Sequence, residues 1–141
     1  MKKGPILSED IASLPRIDKP WGFEIIWAQS ESGFGYVGKL LHIKAGHRLS
    51  FQYHREKEET IFVKSGELYI ETAGKVVEGN IVDTLRSEDR SITRMVPGDI
   101  AHIAPFMSHR FIAKEVDVEL IEVSTKQLDD VVRIEDDYNR Q

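Results

Sequence analysis

The run RLSFQYHREKEETIFVKSGEL, Arg48 to Leu68, decides the fold. Its polar and apolar residues alternate as on a β-strand, where side chains two apart share a face. Gln52 and His54 therefore look the same way, with Arg48 and Ser50 on that face. Glu59 follows five positions after His54, at the head of a second alternating run that Gly66 closes with a turn. A polar, metal-capable face on a strand needs a reason.

Outward from this run, strand signals dominate. FEIIWA, YVGKLLHI, ETIFVKSG, ELYIET, KVVEG, SITRMV, DIAHIA, HRFIA and VDVELIEVS are short, β-branched or aromatic, and separated by turn chemistries such as KAG, TAG and VPGD. About ten short strands at this spacing predict an all-β sandwich or barrel rather than a βαβ sheet. Before them, SEDIASLP reads as one short helix with Ser8 as N-cap and Pro15 as stop. The polar stretch around residues 78–91 reads as a loop or hairpin. The charged tail from 126 to 141 is laid over a core of about 20–125, all within a single domain 1–141.

The 141 residues suffice for one buried core, and 40% hydrophobic with 30% charged residues is an ordinary globular balance. Cysteine is absent, which excludes disulfides, thiolate catalysis and thiolate metal sites. With no leader-like or membrane-length apolar run, a cytoplasmic protein without a membrane partner is expected. The net charge of −5 argues against a nucleic-acid partner.

If the strands holding Gln52, His54 and Glu59 are neighbours, these side chains share a pocket. His109, in VPGDIAHIAPFMSHRF, is a fourth candidate. Two imidazoles, a carboxylate and an amide oxygen suit zinc, iron, manganese, cobalt or nickel and select none of them. On spacing alone, packed histidines and a solvated HREKEE run fit the same residues.

Gly46 to Gly66 resembles the first motif of the cupin superfamily, and PGDIAHIAPFMSH resembles the second. More narrowly, KPWGFE, GKLLHIKAGHRLSFQYH and VRIEDDYNR are similar to the type II mannose-6-phosphate isomerase cupin domain, from about Pro20 to Arg140. Glutamine in place of the usual first histidine is the most specific sign. Lys57 replaces an arginine of that pattern, Thr60 and Ile61 replace His-Trp, and Asn139 stands where the pattern has glycine.

The resemblance implies a cupin jelly-roll β-barrel with one divalent metal ion, zinc foremost, on Gln52, His54, Glu59 and His109. It also implies a sugar-phosphate substrate, aldose–ketose isomerisation and a homodimer. Lys39 and Arg140 then become catalytic candidates, and Arg48, Ser50 and Arg133 substrate-binding ones. A sugar epimerase, an iron dioxygenase and a non-catalytic sugar-binding cupin use the same metal box and remain alternatives.

Overall fold

The computed structural model describes residues 10–32, 34–80, 90–127 and 129–140. Eleven strands run through them: β1 Ile17–Lys19, β2 Gly22–Gln29, β3 Tyr36–Ile43, β4 Phe51–Tyr53, β5 Glu59–Ser65, β6 Leu68–Lys75, β7 Ser91–Met95, β8 Ile100–Ile103, β9 Met107–Ala113, β10 Val118–Thr125 and β11 Val132–Glu135. All pairings between them are antiparallel and build two sheets, ordered β1-β2-β3-β10-β5-β8 and β11-β4-β9-β6-β7. This is the expected all-β jelly roll.

The expected N-terminal helix appears as a single 3-10 turn, Ile11–Ser13, and Ser8 lies outside the described residues. KVVEG contributes only Lys75 to a strand; the chain then enters a second 3-10 turn, Glu78–Asn80. Most of the stretch expected as a loop, 81–89, is likewise outside the described residues. The tail does form a strand, because its charges sit at a sheet edge: β11 pairs β4 and leaves its other side open.

The inner faces divide along the length of the strands. β5 begins with Glu59 and continues with Ile61 and Val63; β9 carries His109, then Phe111 and Ala113. β3 presents Lys39 before Leu41 and Ile43, while antiparallel β10 presents Val118 and Leu120 before Glu122. Register therefore gathers the apolar ends into one core, with Trp21, Leu49, Leu68, Met95 and Ile103. The polar ends collect at the opposite end of the barrel.

Two glycines hold this register. Gly66 turns β5 into β6 with φ of 82°, and a Cβ there would sit 2.2 Å from the Asp117 carbonyl oxygen. Gly22 opens β2 so close to β3 that a Cβ would lie 1.9 Å from the His42 carbonyl oxygen. Only glycine fits either place.

The outer face of the second sheet is also covered. Phe51 and Tyr53 are buried there, and the Arg90 guanidinium lies 4.0 Å from the Phe51 ring centroid while pairing with Glu135. Arg110, 1% exposed, donates from Nε to the Leu49 carbonyl at 2.8 Å. The tail is thus part of a second, partly ionic, core layer.

Candidate metal centre

At the polar end of the barrel, Gln52 on β4 lies directly opposite His109 on β9, and His54 follows β4. Glu59 enters from the first sheet at the start of β5. Ligand atoms of His54, Glu59 and His109 all lie within 4.8 Å of one another, and all three residues are buried. The four expected ligands are thus neighbours.

Hydrogen bonds set the imidazoles. His109 Nδ1 is 2.9 Å from the Met107 carbonyl, and His54 Nδ1 is hydrogen-bonded to the Asp130 carbonyl. A carbonyl only accepts, so both Nδ1 atoms carry a proton, and in the neutral tautomer this sets, Nε2 is the lone pair. Burial, opposed by the charge of Glu59, depresses the His54 pKa and keeps that ring neutral.

Among the described residues the buried His109 Nε2 has no hydrogen-bonding partner, and it faces Glu59 Oε1 across 3.4 Å. A metal cation between them would bind both atoms. Two imidazole Nε2 atoms and an adjacent carboxylate are donors a divalent metal takes, so these residues fit the group.

Gln52, the fourth expected ligand, adjoins this cluster. Its Nε2 now lies 3.4 Å from His54 Nε2, and its Oε1 accepts from Ser50 Oγ at 2.6 Å. Turning the amide over points its oxygen at the site while Ser50 Oγ accepts from the amide N–H instead. Ser50, fully buried, orients Gln52 rather than lining the cavity.

A cavity of about 310 Å³ opens beside these residues, a size suited to a small ligand. Charges of alternating sign cross its wall, strand by strand. Glu59 Oε2 pairs with Lys57 Nζ at 2.9 Å, and Lys57 pairs with Glu122 on β10 at 3.1 Å. Glu122 lies opposite Lys39 on β3, Lys39 pairs with Glu24 on β2 at 3.5 Å, and Glu24 faces Lys19 on β1 at 3.7 Å.

The charges tune one another. Burial would raise the Glu59 pKa, but the contact with His109 and the charge of Lys57 outweigh it and keep the carboxylate ionised. Burial would likewise lower the Lys57 pKa, but Glu59 and Glu122 raise it further. Glu122 is pushed up, first by burial and then by the charge of Glu59, with Lys57 and Lys39 opposing.

Arg133 on β11 and Arg140 also line the cavity. Arg140 is held by Asp136, from Nε at 2.9 Å and Nη2 at 3.0 Å. Arg48 lies elsewhere: it pairs with Asp137 through Nε at 2.7 Å and does not line this cavity. Strict alternation does not hold upstream of β4. Leu49 lines the cavity, so the chain changes face between Leu49 and Gln52 and takes Arg48 and Ser50 off the pocket side.

His42 pairs with Asp117 and Glu119 near the far end of β3, and His102 points outward to Glu58. Sequence reasoning missed Glu24, Glu122 and Asp130, and noted Lys57 only as a replacement. Glu122 stood on an alternating strand in phase with Val118 and Leu120, a detectable signal.

The model of the D-lyxose isomerase family matches residues 26–138. No curated protein sequence matches the chain. Among solved structures, KdgF from Halomonas sp. matches at 17% identity over 84% of this chain and 91% of its own, with a TM-score of 0.64. A cupin-superfamily sugar phosphate isomerase from Silicibacter pomeroyi matches at 17% identity over 84% of this chain and 74% of its own, with a TM-score of 0.60. Oxalate decarboxylase from Lactobacillus farciminis matches at 13% identity over 87% of this chain, with a TM-score of 0.64. This chain spans about a third, 34%, of that decarboxylase's length. At such identities the likeness is one of fold, the cupin fold.

Proposed function

The chain belongs to the D-lyxose isomerase family, and on that ground we propose that it is a metal-dependent aldose–ketose isomerase acting on sugars of the lyxo configuration. The observation that carries the proposal is the buried Glu59–Lys57–Glu122 series, which sets a proton-exchanging carboxyl beside a metal-competent His54–Glu59–His109 cluster.

Isomerisation breaks the C2–H bond of the open-chain aldose and forms a C1–H bond, while the hydroxyl proton moves from O2 to O1. A divalent metal bound by Gln52, His54, Glu59 and His109 would act as a Lewis acid on the sugar oxygens. Glu122, with its raised pKa, takes the proton from C2 and returns it to C1. Lys57 stays protonated between its two carboxylates and stabilises the oxyanion that develops nearby. Lys39, 8% exposed and lining the cavity, orients hydroxyl groups farther along the sugar.

D-Lyxose and D-mannose share their configuration at C2, C3 and C4, so mannose 6-phosphate presents the same reacting end with a longer, anionic tail. Arg133 and Arg140 in the cavity favour this second substrate, because guanidinium forks match phosphate geometry.

Proton–deuterium exchange at C1 and C2, followed by NMR on D-lyxose, D-mannose and mannose 6-phosphate, tests both readings. Glu122→Gln should lower turnover by about 10²–10⁴-fold with metal content unchanged. Exchange into none of the three sugars by metal-loaded protein would overturn the proposal.

A further inference from the structure

One residue outside the proposed ligand set touches the metal centre in four ways. Asp130 lies in the segment leading to β11, and its carbonyl accepts the His54 Nδ1 proton. Its carboxylate accepts three successive backbone N–H groups: Arg55 at 3.2 Å, Glu56 at 2.6 Å and Lys57 at 2.9 Å. Those residues are three of the four that separate His54 from Glu59. Burial alone would raise the Asp130 pKa, but the three backbone donors hold it below the ordinary aspartate range.

Successive N–H groups converging on one carboxylate form an anion nest, here filled from within the chain. Within this charged connection Arg55 and Glu56 are exposed, while Lys57 is buried. Asp129 and Val131, on either side of Asp130, line the cavity, as do Arg133 and Arg140 farther along the tail.

We infer that Asp130 is a positioning residue that joins the metal-binding loop to the substrate-binding tail, so that ordering either one preorganises the other. The inference rests on the metal assignment proposed above. Its carbonyl fixes the His54 tautomer, and its carboxylate fixes the loop that spaces His54 from Glu59. Partners of this kind behind metal ligands shift affinity without touching the metal.

The test is cobalt(II) affinity, measured by competition with a chromogenic chelator on the full chain and checked against the visible spectrum of the bound ion. Asp130→Ala should weaken cobalt binding about 10–100-fold and alter the spectrum. Asp130→Asn keeps an acceptor oxygen and should restore most of the affinity. His54→Ala and His109→Ala serve as references. If neither reference weakens cobalt binding, the metal assignment itself fails. If both do while Asp130→Ala binds within twofold of the parent, only the positioning role fails. Equal losses in Asp130→Ala and Asp130→Asn would also overturn it, since they would deny the acceptor its part. Urea unfolding of each metal-free variant separates this effect from loss of fold: a purely structural role would lower the unfolding midpoint and leave the cobalt affinity of the folded protein unchanged.

Discussion

Lys57 holds an ammonium at 6% exposure between two carboxylates, 2.9 Å from Glu59 and 3.1 Å from Glu122. Desolvating three charges is costly, and the arrangement stands only because each partner compensates another. Lys57→Met should therefore cost about 3–5 kcal/mol, the usual penalty for leaving a buried charge unpaired. Without the lysine, the Glu122 pKa rises further above its unfolded value. The protonated carboxyl then contributes stability that is present at low pH and is lost as pH climbs through the folded pKa. Urea midpoints of the metal-free variant should show a larger deficit at pH 8 than at pH 5.5, and adding Glu122→Gln should recover part of it at pH 8. A deficit independent of pH would count against Glu122 as the responsive group. None of this was legible in HREKEE, which reads as solvated charge. The Lys57 ammonium turns inward to Glu122 on β10, a partner distant in sequence.

At the scale of elements, most of the barrel was legible because alternation and glycine turns are local signals. What escaped needed register. The inner face of β10 reads Val118, Leu120, Glu122, and only pairing with Lys39 on β3 and proximity to Lys57 turns its last residue into a site residue. The placement of Arg48 escaped for the complementary reason: alternation was extended past the point where the chain changes face. Asn139, by contrast, departs from the glycine of the resembling pattern without departing from its geometry. Its φ is 56°, in the left-handed region that asparagine enters more readily than other non-glycine residues. The turn it makes lets Asp136 Oδ2 accept the Arg140 backbone N–H at 2.7 Å and so aims the arginine. Asn139→Gly should change stability by less than about 0.5 kcal/mol, whereas a β-branched Asn139→Val should cost about 1–2 kcal/mol. Thermal unfolding compares them directly, and equal costs would show that the turn does not depend on this conformation.

For the molecule as a whole, the two ends of the barrel separate stability from chemistry. Ile61, Val63, Leu120 and Phe111 supply buried apolar area at one end, while the same strands offer Glu59, Glu122 and His109 at the other. Among the described residues, no helix is long and apolar enough to cross a membrane.

The alternating charges on the cavity wall have an electrostatic consequence. Lys19, Lys39, Lys57, Arg133 and Arg140 line it against Glu24, Glu59, Glu122 and Asp129, and Asp136 behind Arg140 makes the signs equal in number. A cleft so balanced exerts little net pull on an anion, and a protein of net charge −5 adds none from outside. Two added positive charges would change its sign. Loading with a divalent ion should therefore come first in an obligatory binding order, with sugar phosphates following and neutral sugars far less sensitive to it. Calorimetry of mannose 6-phosphate should show at least about tenfold tighter binding to cobalt-loaded than to metal-free protein, with the gain shrinking as salt screens the added charge. Equal affinity for the two forms would mean that Arg133 and Arg140 hold the phosphate unaided.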